Sequence, residues 1–219
     1  MFLLVSNSIW AQDFINDVGS RLSVSAEKKI GKGFSLNGKV QARLAENFTL
    51  LNRVYFKLGA GYEITDFLNL GVSANLMNAR SGYKPMEDEY RYAAFLTYKT
   101  KLTEQLSFSN KVIYQVTNNY LINSELLNMK GNTVLRNRMA LKYKLNRRGE
   151  IYATDELLFQ LIGKKEKYLG RNRVYLGYIY KLNNRLDLEP YVIAERSYNK
   201  KGGPQTRNFY YCLHLSINL

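Results

Sequence analysis

The chain has 219 residues, a formal net charge of +14, one cysteine, one histidine and only three prolines, with 46% hydrophobic, 13% aromatic and 23% charged residues. That charge density excludes a polytopic helical membrane protein, which needs about 20 consecutive apolar residues per span, and the aromatic content excludes a disordered chain. The lone Cys212 excludes a disulfide framework and a cysteine-built zinc site.

The chain opens with an apolar run, Phe2-Leu3-Leu4-Val5, and a small-residue exit ending at Ala11. This is the pattern of a secretory signal that lacks its basic start, and the alternative is a short buried strand or helix. Cleavage after Ala11 leaves a single domain over 12–219. Export removes nucleic acid as an expected partner, whatever the basic charge.

From there apolar and polar residues alternate almost to the last residue. Phe34, Leu36, Gly38, Val40, Ala42 and Leu44 share one face, and Ser35, Asn37, Lys39, Gln41 and Arg43 share the other. A period of two is the strand signature, because successive side chains point to opposite faces. Taken in order, the segments 19–29, 34–44, 51–64, 67–77, 89–101, 106–116, 133–145, 150–161, 170–182, 186–196 and 207–219 read as strands. Each is 11 to 14 residues long. Strands of soluble domains cluster near 5–6 residues, whereas a tilted strand crossing a bilayer needs about 9–11. The links at 31–33, 65–66, 102–105, 146–149 and 183–185 are short, while those at 78–88, 117–132, 162–169 and 197–206 are longer and polar. This asymmetry predicts an all-β fold: a single antiparallel transmembrane barrel with short periplasmic turns and longer extracellular loops. Eleven segments is an odd number, and single-chain bacterial barrels have even counts, so the expected count is about twelve, with about ten next. The extra strand would come from Phe14 to Asp17 or from within 117–132.

Outward aromatics gather at both strand ends. Phe34, Tyr62, Tyr98, Tyr143 and Tyr178 lie near the short turns; Tyr92, Tyr114, Phe209 and Tyr211 lie near the long loops. Two girdles around an aliphatic band match the two interfaces of an outer membrane. Asp155 falls on the same lipid face, which is costly at mid-membrane, and a bulge near Thr154 would turn it inward. The terminal alternation Tyr211, Leu213, Leu215, Ile217, Leu219 has the form of the strand signal read by the barrel-assembly machinery.

Residues 12–219 resemble a family of uncharacterised Gram-negative barrels, domain of unknown function 2490. The resemblance lies in Ala11-Gln12-Asp13-Phe14, Glu27-Lys28-Lys29, Leu58-Gly59-Ala60-Gly61-Tyr62 and a set of arginine-led strands. It implies a barrel in the outer membrane and carries no activity. Among those strands, Arg136-Asn137-Arg138 recurs 35 residues later as Arg171-Asn172-Arg173, a period of one hairpin plus its loops.

On the inner face, Arg53, Arg91, Arg136, Arg138, Arg171 and Arg173 crowd the long-loop mouth, against Glu156, Glu189 and Glu195. Rings of Arg or Lys favour anions. The same residues also fit a lumen stitched shut by ion pairs, since buried charges must be paired. The expected lumen is cationic and narrow or closed. Outside the lumen, Arg207 beside Phe209 faces outward toward lipid and lipopolysaccharide phosphate.

No catalytic motif, metal cluster or cofactor signature occurs. His214, Ser216 and Asn218 are the only catalytic candidates, and any strand with a polar inner face produces such a set. Three function classes follow. The first is a non-enzymatic outer-membrane barrel with a structural, small-solute or anion-channel, or surface-interaction role. The second is a phospholipase-like barrel enzyme. The third is a soluble basic β-protein binding an acidic ligand.

Overall fold

A computed structural model describes residues 15–80, 85–118, 132–162, 168–198 and 206–219. The signal-like segment before residue 12, and the start of the mature domain, lie outside the described residues. Among the described residues there are eleven strands and no helix. They are β1 (Ile15–Ile30), β2 (Phe34–Ala45), β3 (Leu50–Thr65), β4 (Leu68–Arg80), β5 (Met86–Lys101), β6 (Leu106–Asn118), β7 (Asn132–Lys144), β8 (Gly149–Ile162), β9 (Tyr168–Lys181), β10 (Leu186–Ser197) and β11 (Thr206–Asn218). Each pairs with its chain neighbour, and β1 meets β11 to close the barrel.

The expected count of twelve is corrected to eleven, and the all-antiparallel closure to a mixed one. An up-and-down meander with an odd number of strands leaves the first and last pointing the same way, so the closing pair must be parallel. Ile15 to Glu27 accordingly run parallel to Thr206 to Asn218. Asp17, expected to help form an extra strand, lies within β1. Residues 119–131, expected to hide another, lie outside the described residues.

Local chemistry makes the short turns. Asn146 Oδ1 accepts from the backbone N–H groups of Arg148 and Gly149, both at 2.8 Å. Asn183 Oδ1 accepts from Arg185 and Leu186 at 2.8 and 2.9 Å. Thr103 Oγ1 does the same for Gln105 and Leu106 at 3.2 and 2.9 Å. Such side chains reverse the chain by replacing a ladder partner with themselves. In the β1–β2 turn, Gly31 and Gly33 adopt φ of 66° and 83°, which glycine does without steric cost. On the opposite side the β2–β3 turn holds three successive residues, Glu46, Asn47 and Phe48, at φ of 51°, 54° and 71°. It is latched to β1: Glu46 N–H donates to Asp17 Oδ1 at 2.9 Å and Asn47 N–H to Val18 O at 2.9 Å.

The two faces separate cleanly. Leu22, Leu36, Leu58, Val72 and Leu176 are exposed on the outward face, as are the aromatics Phe34, Tyr62, Tyr98, Tyr143, Phe209 and Tyr211. At the short-turn end the Phe34 and Tyr62 rings meet at a tilt of 43° with centroids 4.6 Å apart, and Tyr178 stacks on Tyr180 at 6.3 Å. Tyr92 and Tyr114 are half-buried on the outward face. Inside, Tyr152, Tyr175, Ile193 and Cys212 form an apolar cluster along β8–β11, joined by Tyr191 and Tyr210.

Asp155 stays outside. β8 pairs in unbroken register with both neighbours from Ile151 to Leu158, and its irregularities fall at Leu158/Phe159 against β9 and opposite Thr133/Val134 on β7. The expected bulge near Thr154 is therefore absent, and Asn172 of β9 satisfies Asp155 instead, its Nδ2 donating to Oδ1 at 2.7 Å. Asn172→Leu strands that carboxylate toward lipid and is expected to cost about 1–3 kcal/mol. Adding Asp155→Leu should restore most of it. Urea unfolding in lipid vesicles reads both, and a harmless single variant would show that Asp155 finds water.

Candidate functional site

Ladder register decides which inner side chains meet. Along one row Arg138 of β7 pairs with Glu156 of β8, which pairs with Arg173 of β9, which pairs with Glu195 of β10. The repeated Arg-Asn-Arg segments thus flank a single carboxylate from both sides. Glu156 is fully buried, with 0% exposure. Its Oε1 accepts from Arg136 Nη2 at 2.5 Å, and its Oε2 takes Tyr175 Oη at 2.8 Å and Arg173 Nη1 at 3.3 Å. Arg173 Nε donates to Glu195 Oε2 at 2.5 Å, while Arg21 and Arg171 approach Glu195 at 3.8 and 3.6 Å. Arg136 also donates to Gln115 Oε1 at 2.9 Å, and Arg138 lies 4.8 Å over the Tyr175 ring. Glu189 takes the hydroxyl of Tyr152 as its donor. The β7–β11 wall is therefore a stitched surface, in which Glu156 and Glu195 engage every arginine of this group but Arg138.

The β1–β6 wall is built differently. Arg21 pairs with Arg43 and Arg43 with Arg53, three guanidiniums in one row. Lys39 pairs with Lys57 on the same strands, and Lys111 with Arg138 where the two walls join. Like charges directly opposite destabilise an antiparallel pair. The ends of the arginine row have some compensation, Arg21 from Glu195 at 3.8 Å and Arg53 from Glu89 at 4.0 Å. Among the described residues no carboxylate comes within 4.0 Å of Lys39, Arg43, Lys57, Arg91, Lys111 or Arg138. The Nε atoms of Arg21, Arg43 and Arg53 are buried with no hydrogen-bond partner among the described residues.

The two walls enclose a cavity of about 830 Å³ in the long-loop half of the barrel, lined among the described residues by ten Lys or Arg side chains and a single carboxylate, Glu89. Glycines keep inner rings flat against the wall. A Cβ on Gly71 would stand 2.3 Å from Phe95 Cζ, and one on Gly177 2.5 Å from Tyr152 Cζ. Lys111 Nζ lies 3.6 Å over the Phe95 ring, on the cavity surface.

All six expected lumen arginines thus line one cavity, whereas Glu156 and Glu195 are spent on the stitched wall. Alternation places Lys39, Lys57 and Lys111 on inner faces, but their direct pairing depends on register that alternation alone does not carry. The expected catalytic trio is not brought together. His214 sits at the seam, with Nδ1 2.8 Å from Ser23 Oγ and Nε2 3.0 Å from Ser25 Oγ. Ser216 accepts from Ser25 at 3.4 Å, and Asn218 Nδ2 reaches Asp187 Oδ2 at 3.5 Å. The serine contacts clasp β1 to β11 across about the full length of the chain, and the Asn218 contact ties β11 to β10.

The model of one family, described as "Protein of unknown function (DUF2490)", matches residues 19–207. No curated protein matches the chain. Among solved structures, the NanC porin is similar over 83% of this chain and 87% of its own, with a TM-score of 0.50 and 12% identity. The KdgM porin is similar over 82% of this chain and 89% of its own, with a TM-score of 0.47 and 14% identity. At such identity the likeness to the NanC porin is one of fold.

Proposed function

The chain belongs to this DUF2490 family, and we propose that it is a non-enzymatic barrel of the bacterial outer membrane whose lumen admits and selects anions. The observation that carries this reading is the cavity lined, among the described residues, by ten cationic side chains and one carboxylate. A lumen meant only to be closed needs its charges matched, because an uncompensated buried charge is costly. The β7–β11 wall follows that rule; the β1–β6 wall does not. Fixed cations lining a water-filled passage attract anions and exclude cations.

Strand length, the outward aliphatic band and the two aromatic ends support the membrane setting. In it, the outward face meets lipid and lipopolysaccharide, and the C-terminal strand β11 serves the assembly machinery. Both ring nitrogens of His214 are engaged by seam serines, which supports a structural rather than a catalytic role.

The test is the reversal potential of the purified barrel in a planar bilayer under a potassium chloride gradient. The expected sign is that of chloride preference. A potassium-selective current would sink the proposal.

A further inference from the structure

We propose that the β2–β3 wall is a two-point binding site for elongated organic dianions, an inference that rests on the anion-selective reading above. Three consecutive inward rows on these strands pair Arg43 with Arg53, Gln41 with Tyr55, and Lys39 with Lys57. The order is cationic, neutral, cationic. Four residues along each strand separate the two charged rows, about 13 Å at roughly 3.3 Å per residue. A single anion cannot neutralise both rows; a molecule with an anionic group at each end can.

The middle row is shaped for the body of such a molecule. Tyr55 Oη donates to Gln41 Oε1 at 2.5 Å, which turns the Gln41 amide nitrogen away from Tyr55, while Ser23, its neighbour on the other side, is engaged by His214. That nitrogen is buried without a hydrogen-bond partner among the described residues, as is the Nε of Arg43 above it. Gln41 itself is 3% exposed. Tyr55 is the member of this row that lines the cavity, so its ring is what the body of a ligand would meet. The Arg43 guanidinium, 5.3 Å from the Tyr55 ring centroid, holds the ring against the wall.

The other strands reinforce both rows. Lys111 and Arg138 repel Lys57 from across the lumen, and Arg91 repels Arg43 and Arg53. The carboxylates nearby are Glu89, 4.0 Å from Arg53, and Glu189, which is engaged by Tyr152. Two tiers of repelling cations therefore await two anionic groups.

The experiment titrates the detergent-refolded barrel calorimetrically with acetate, succinate, adipate and sebacate, which hold charge at one or two while the spacing grows. Sebacate is expected to bind about tenfold or more tightly than succinate, a difference of about 1.4 kcal/mol. In Lys39→Gln/Lys57→Gln the dependence on length should vanish. In Lys39→Arg/Lys57→Arg it should persist, with heat-modifiable gel mobility showing that each variant is folded. Equal affinity for all four acids in the wild type overturns the proposal, and so does a length dependence that survives the glutamine pair. The underlying reading fails separately, through a cation-selective reversal potential.

Discussion

Glu156→Gln is expected to lower the unfolding free energy of the barrel by about 3–5 kcal/mol, the range for removing one partner of a buried ionic network. The carboxylate is fully buried and is the shared acceptor for Arg136, Arg173 and Tyr175. An amide keeps the shape yet presents one oxygen where two accepted, and it leaves Arg136 of β7 without a counter-charge and Arg173 of β9 with Glu195 alone. Glu195 cannot substitute, because it already serves Arg21, Arg171 and Arg173. Guanidinium unfolding in lipid vesicles, followed by heat-modifiable mobility, measures the loss. A change below about 1 kcal/mol, the level of a solvated surface pair, would mean that water in the lumen solvates these arginines and that the wall is not stitched.

Arg43→Gln is expected to act in the opposite direction on stability and to remove function. Arg43 stands between Arg21 and Arg53 in one row, so its neutralisation relieves two like-charge pairs. Each such pair is worth about 0.2–1 kcal/mol, so the variant should gain on the order of 1 kcal/mol while its chloride preference falls. Guanidinium unfolding reads the first quantity and the bilayer reversal potential the second. A variant that loses stability as well as selectivity would make Arg43 part of the structural network. One with unchanged reversal potential would place the selective cations elsewhere in the cavity. The contrast between Glu156 and Arg43 is the substance of the two-wall reading: one wall is charged for the barrel's sake, the other at its expense.

Much of the architecture was legible in the residues alone. The period-two alternation located all eleven strands to within a few residues at each end, and Asn146, Asn183 and Thr103 announced their turns because a turn is made by neighbours in the chain. The inward and outward sets were legible for the same reason: facing is a local property of a strand. The Arg136 and Arg171 repeats marked the long-loop mouth. Closure was not legible, since whether β1 meets β11 parallel depends on bringing together residues nearly the whole chain apart, and the even-count expectation pointed to the wrong number. Nor was register. Alternation says that Lys39 and Lys57 both face inward, but only the ladder sets them opposite each other and sets Glu156 between two arginines. Asp155 was recognised as outward, yet Asn172, its partner one strand away, could not be. Composition and periodicity determined a basic β-barrel with an apolar outer and a charged inner face; tertiary pairing decided which cations are neutralised and which are left facing the cavity, because charge compensation acts across strands and not along them.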